Sequence, residues 1–133
     1  MQEDRRFFPR VISKVQANFY VESDSGEPKE FGGIISNLSE VGIKIEITEL
    51  EDLEVVNQIV IGDRVSFQAF DEYELYGKTY TDIFRGKASI VRMENSEEGI
   101  ILGCKVHSAS KDFERYINNK RISIYLNTIK RGL

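Results

Sequence analysis

Asn37-Leu38-Ser39-Glu40-Val41-Gly42-Ile43-Lys44-Ile45-Glu46-Ile47 is the stretch on which the reading of this 133-residue chain turns. Its second half alternates without a break, Ile43, Ile45 and Ile47 against Lys44 and Glu46, the period-two pattern of a half-buried strand. Its first half is polar, and reads as a tight turn over Asn37–Val41, since Asn and Ser side chains bond readily to nearby backbone. Phe31–Ser36 reads as the strand before it, with Gly32-Gly33 marking a bulge or a close approach of backbone. Strand, tight connection, strand is the local prediction.

Working outward, the same period recurs. Val11–Val21 places Val11, Ser13, Val15, Ala17, Phe19 and Val21 on one face, and Glu22–Lys29 is a turn. Thr48–Gln58 is acidic and admits a short helical turn or a loop. Ile59-Val60-Ile61 leads into a Gly62-Asp63 turn. Val65–Phe70 is strand-like, Asp71–Gly77 reads as a hairpin loop, and Lys78–Met93 is one bent strand with Gly86 as a candidate kink. Glu94–Gly99 is a turn and Ile100–Val106 the last strand. Short strands at this spacing predict a mainly β barrel or sandwich rather than alternating βα units.

From Ser110 the period changes to that of a helix, expected over 110–128, with Ser110 as N-cap and Asp112 and Glu114 at its positive end. Phe113, Tyr116, Ile117 and Ile124 share one face, and Ile122, Leu126 and Ile129 fall roughly opposite. Such a helix packs on two sides, with a second subunit as one candidate for a homo-oligomer. Otherwise 122–127 is a short extended piece.

Composition bounds the function. The length is that of one domain, 1–133, able to bury its own core. The net charge of −4 argues against a nucleic-acid polymer as partner, because such binders carry a basic face. No apolar run approaches a membrane span, no secretory segment follows the first residues, and the one cysteine, Cys104, forms no disulfide framework. A cytoplasmic protein without membrane insertion is expected. His107 has no acidic or thiol neighbour in sequence and reads as a polar strand-end residue, and Cys104 as a small buried hydrophobe. No metal-ligand spacing and no Gly-rich phosphate loop is present, so neither cofactor nor metal is expected.

Against that background the N-terminal Arg5-Arg6-Phe7-Phe8-Pro9-Arg10 stands out, basic on an acidic chain. Residues 1–10 have no apolar period and are expected to form a flexible arm. Guanidinium forks match phosphate oxygens and stack on purine rings. Asn37 and Ser39 offer directional groups for a base edge, and Gly42 permits close backbone approach. The set suits a compact anionic guanine ligand.

Arg6-x-x-x-Arg10 followed by Asn37-x-Ser39-x-x-Gly42 resembles the paired signature, RxxxR and [D/N]xSxxG, of PilZ domains, bacterial receptors for cyclic di-GMP. The resemblance covers nearly the whole chain. It implies a six-stranded antiparallel split barrel over 11–107 with a C-terminal helix. It also implies a non-enzymatic receptor or adaptor in which Arg6 and Arg10 clamp phosphate and stack on guanine while Asn37 and Ser39 meet the guanine edge. Most relatives have Asp where this chain has Asn37, which keeps an acceptor but loses a charge. Arg5, just ahead of the motif, resembles relatives that take up a stacked pair of cyclic di-GMP molecules. Gly103 resembles the family's late strand glycine. A downstream protein partner is implied but not identified.

Two other classes remain open. A PilZ-like interaction module could work through protein contacts without cyclic di-GMP, with the two-sided helix as its face. An enzyme hydrolysing the nucleotide would need metal ligands or a general-base cluster, and neither is visible.

Overall fold

A computed structural model describes residues 11–22 and 29–132. Six antiparallel strands close into a ring in the order β1-β2-β3-β6-β5-β4. They are β1 (Val11–Val21), β2 (Lys29–Ser39), β3 (Gly42–Ile47), β4 (Arg64–Leu75), β5 (Lys78–Asn95) and β6 (Ile100–Ala109), with helix α1 (Leu50–Val56) between β3 and β4 and helix α2 (Lys111–Gly132) at the end. Every strand has a partner on both sides, although β1 and β4 pair only over residues 17–21 and 65–69, so the ring is split beyond that point.

The ring forms because each strand carries an apolar residue at every second position. In β3, Ile43, Ile45 and Ile47 are buried. In β1, Val11, Val15, Ala17, Phe19 and Val21 are buried, and Phe19 stacks on Phe31 of β2 at 5.1 Å between centroids. Those two residues are register partners, so a cross-strand aromatic pair pins the β1–β2 alignment. Gly32-Gly33 is a close approach, not a bulge: both residues pair regularly, with Asn18 and Ala17. A Cβ on Gly33 would lie 2.9 Å from Ile45 Cγ2. Helix α1 settles against this glycine pair, where the Gly32 N–H donates to Asp52 Oδ1 at 2.8 Å. The acidic segment left open between helix and loop is therefore helical in its middle.

Three expectations are corrected. Asn37 and Ser39 belong to the end of β2, and the connection is shorter than Asn37–Val41, with Ser39 paired to Gly42 across a turn at Glu40-Val41. Asp71–Leu75 continues β4, because Tyr73 and Leu75 keep the alternation and are buried. Only Tyr76-Gly77 turns, both at positive φ (53° and 72°), as a two-residue hairpin of this hand requires. The last strand and the helix also run on, to Ala109 and Gly132 rather than Val106 and 128, and the helix expected through 122–127 is continuous there.

Helix α2 docks by Phe113, Tyr116 and Ile117, all buried. Phe113 meets Phe67 and Phe84, and Tyr116 packs 4.7 Å from Phe84 and 5.5 Å from Tyr73. Ser110, expected as a cap, stitches the helix start to β5: its N–H donates to Arg85 O, and its hydroxyl accepts from the Arg85 N–H. From Ile122 on the helix changes character, and Ile122, Ile124, Tyr125 and Ile129 are exposed. The stripe that begins with Phe113 is thus buried in its first half and more exposed in its second.

Candidate functional site

Strand register assembles the site. Asn37 of β2 pairs with Lys44 of β3, Lys44 with Gly103 of β6, and Gly103 with Arg92 of β5. Residues in direct register share a face, so these four form one row across four adjacent strands. Its neighbours inside are Leu38, Ile43, Leu102 and Cys104, all buried, which puts the row on the outer surface. Bulges between Ile35 and Asn37 and between Ile90 and Arg92 bring both ends of the row into line.

The row is a trough. Gly103 contributes no side chain, and the Arg92 side chain lies across its bare backbone: a Cβ there would be 3.4 Å from Arg92 Cβ and Nε. Around it opens a depression of about 320 Å³ lined by Asn37, Gly42, Lys44, Arg92 and Gly103 among others. Lys44 and Arg92 stand two strand spacings apart, about 9–10 Å at the backbone, so an anion between them feels both charges. Arg92 is exposed and among the described residues its one ion pair is with Glu94, 3.0 Å away on the same strand.

Asn37 is where the chemistry concentrates. Its side-chain oxygen Oδ1 is buried without a hydrogen-bond partner among the described residues, as is the Oγ of neighbouring Ser36. A buried acceptor left unpaired costs about 1–3 kcal/mol, and such atoms are rare in folded proteins. This one sits at the wall of an outer depression, where an incoming donor would relieve it.

The remaining expected residues divide. Gly42 lines the depression, and a Cβ there would meet the Cys104 carbonyl oxygen at 3.4 Å. Ser39 does not line it. Ser39 is buried and its hydroxyl accepts from the Val41 N–H at 3.3 Å, the local turn bond that Ser offers here. Arg5, Arg6 and Arg10 lie outside the described residues. Val11, which follows Arg10 in the chain, pairs with Leu38, and Ile12 pairs with Asn37. β1 therefore begins beside the second motif.

Lys44 and Arg92 were missed by sequence reasoning, because the row that gathers them exists only in the register. Gly103 was the available signal, a lone glycine inside a strand. Burial pushes the Cys104 thiol up to about 12, in keeping with its reading as a small hydrophobe. His107 has a partner that spacing did not show, Ser89, whose Oγ lies 2.5 Å from Nε2. Among the described residues no three His, Cys, Asp or Glu side chains converge on one point, and no helix is long and apolar enough to cross a membrane.

A polar cluster lies apart from the row, under α2. Asp82 is buried; it accepts from Tyr73 OH at 2.5 Å and is paired with Arg115. Tyr116 OH donates to Asp71 at 2.6 Å and lies 3.2 Å from Ser13 Oγ. Burial, then the bond to Asp82, raises the Tyr73 phenol to about 12; burial, then Asp71, raises that of Tyr116 further. Another pair ties α2 to the site. Arg121 donates to both carboxylate oxygens of Glu40, at 3.0 and 2.6 Å, and Glu40 stands in the turn directly after Ser39.

Comparison with known proteins adds the fold. No family model and no curated protein matches the sequence. Among solved structures, the Bacillus subtilis inhibitor of motility (MotI/DgrA) is similar at a TM-score of 0.65 and 14% identity, over 94% of this chain. The chain spans about half of that protein's length, 53%. The six-stranded ring with its C-terminal helix is a PilZ-like fold.

Proposed function

We propose that the chain is a cyclic di-GMP receptor or adaptor, non-enzymatic and cytoplasmic, which binds the nucleotide on the row Asn37–Lys44–Gly103–Arg92. The observation that carries this reading is the buried, unpartnered Asn37 Oδ1 at the wall of a depression flanked by two cations. Guanine N–H groups supply the donor that the amide oxygen lacks, and Lys44 and Arg92 face the phosphates. At about 320 Å³ the depression is at the small end of ligand sites, so it holds part of a dinucleotide and leaves the rest to another element.

That element is the arginine arm. Arg6 precedes Val11 by five residues, and an extended chain of that length reaches about 17 Å, enough to cover the row from where Val11 pairs. Arg6 and Arg10 then clamp phosphate and stack on guanine, Ser39 keeps the turn in shape, and Gly42 leaves room. Arg5 extends the arm toward a second, stacked cyclic di-GMP. Ordering of the arm on the ligand is the signal passed to a partner protein. Likeness in fold to an inhibitor of motility supports an adaptor that works through such a partner.

Calorimetric titration tests this. Each arginine–phosphate contact is worth about 1.5–3 kcal/mol, so Arg6→Ala or Arg10→Ala is expected to weaken cyclic di-GMP binding about tenfold or more with the fold unchanged. Wild-type affinity in both variants would remove the arm from the account. A stoichiometry of one nucleotide per chain would remove the stacked pair.

The second reading, an interaction module that needs no nucleotide, is favoured by one observation, the exposed apolar residues of α2 beyond Arg121. Sedimentation showing only monomer at high concentration would count against a homo-oligomer built on that face.

A further inference from the structure

Where residues 64–68 of β4, 85–89 of β5 and 105–108 of β6 lie side by side, the outer face carries four cations, while Glu72, Glu74 and Glu94 stand further along the same strands. Its register rows are Arg64–Ser89–Lys105, Ser66–Lys87–Ser108 and Gln68–Arg85, and β1 extends the last two with Tyr20 and Asn18. Arg64, Arg85, Lys87 and Lys105 are all exposed. Lys87 reaches Glu22 at the margin, 3.8 Å away, and Arg85 bonds a neutral partner, Gln68. Arg64 and Lys105 have no carboxylate within ion-pair distance among the described residues. On a chain of net charge −4, acids gather elsewhere, four in Glu49–Glu54 and two, Glu72 and Glu74, at the far end of β4, while Asp63 beside Arg64 and Glu30 opposite Tyr20 mark the margin.

Within this face is a second depression, of about 360 Å³. Phe67, Gly86 and Ala109 give it an apolar floor, and Tyr20, Arg85 and Lys87 rise around it. It is separate from the row that holds Asn37, and shares no lining residue with it.

We infer that this face docks an acidic segment of a partner protein, with one aromatic or aliphatic side chain of that segment seated in the depression and its Asp and Glu residues against Arg64, Arg85 and Lys87. Within this face the segments of β1, β4, β5 and β6 are paired to one another, so a partner seated on it is read through side chains rather than by β-addition. Exposed cations around and beside an apolar socket supply charge complementarity and an anchor point. A nucleic-acid polymer fits less well, because phosphates running past the face would meet the acidic remainder of the chain. The inference does not depend on cyclic di-GMP binding, since none of the three cations belongs to the nucleotide row.

Selection of displayed random peptides on the wild-type chain, followed by titration of the labelled winners against Arg64→Glu/Lys87→Glu protein, tests it. Winners rich in Asp and Glu around one apolar residue are expected. They should bind the reversed variant at least about tenfold more weakly and lose affinity as salt rises. Arg64→Ala/Lys87→Ala carries the same test if the reversed variant does not fold, and cyclic di-GMP titration of either variant reports the nucleotide site separately. Winners without acidic bias, or acidic winners that bind both proteins alike, would overturn the proposal. So would a single-stranded oligonucleotide or phosphatidylglycerol vesicles that bind the wild-type chain more tightly than the peptides do.

Discussion

At the scale of single residues, Asn37 separates stability from binding. Its side-chain oxygen is buried without a donor, so the free protein carries a cost that a ligand would relieve. Asn37→Ala is therefore expected to leave thermal stability unchanged, or raise it by up to about 1 kcal/mol, while weakening cyclic di-GMP binding about tenfold. Thermal melts and calorimetry on one variant check both, and a large loss of stability would mean that the amide has a structural partner after all. Arg92→Ala makes the parallel case for the opposite end of the row. Arg92 is exposed and bound only to Glu94, so its removal should cost under about 1 kcal/mol of stability and still reduce affinity. Asn37 and Gly42 were legible in the sequence because the signature is local, whereas Lys44 and Arg92 were not, being 48 positions apart and joined only by register. Ser39 shows the opposite limit. Its spacing marked it as a ligand group, but tertiary packing buries it and gives its hydroxyl to the Val41 N–H.

At the scale of elements, the polar cluster under α2 predicts how the helix is held. Asp82 is the buried acceptor of Tyr73, so Asp82→Ala leaves the phenol proton without an acceptor, the oxygen keeping only the Asn119 amide, and should cost about 1–3 kcal/mol in chemical denaturation. The folded phenol of Tyr73 ionises only near pH 12, against 10.0 for the unfolded chain. Its folded pKa is raised, so its contribution is complete below pH 10 and is lost as pH climbs toward 12. Tyr73→Phe should therefore flatten the fall in stability across that window, and an unchanged alkaline profile would contradict the assignment. Glu40–Arg121 joins the helix to the turn after Ser39. Glu40→Gln is expected to speed amide hydrogen exchange in α2 after Asn119 while leaving the strands as they are. The elements that sequence misplaced share a cause. Asp71–Leu75 was hidden by three acids interleaved with Tyr73 and Leu75, which made a strand resemble a loop. α1 is seven residues long, too short for a helical period to declare itself. The far end of α2 has apolar residues on opposite sides because the first-half stripe and the exposed second-half residues face different surroundings.

At the scale of the whole molecule, closure of the ring gives the chain its functional geography. One outer face presents the Asn37 row, beside which β1 begins, and another presents exposed cations around an apolar socket. Two local positive surfaces on an acidic protein suit the small anion and the charged partner proposed above better than a polymer. The ring was legible from alternation together with the paired signature, since alternation alone left barrel and sandwich open. Amide chemical shifts of the ¹⁵N-labelled chain during titration with cyclic di-GMP, with cyclic di-AMP as control, test the central claim most directly. The account predicts saturable shifts at Asn37, Lys44, Gly103 and Arg92 that cyclic di-AMP does not reproduce. Saturation that left those four amides in place, or no shift at high ligand, would contradict it.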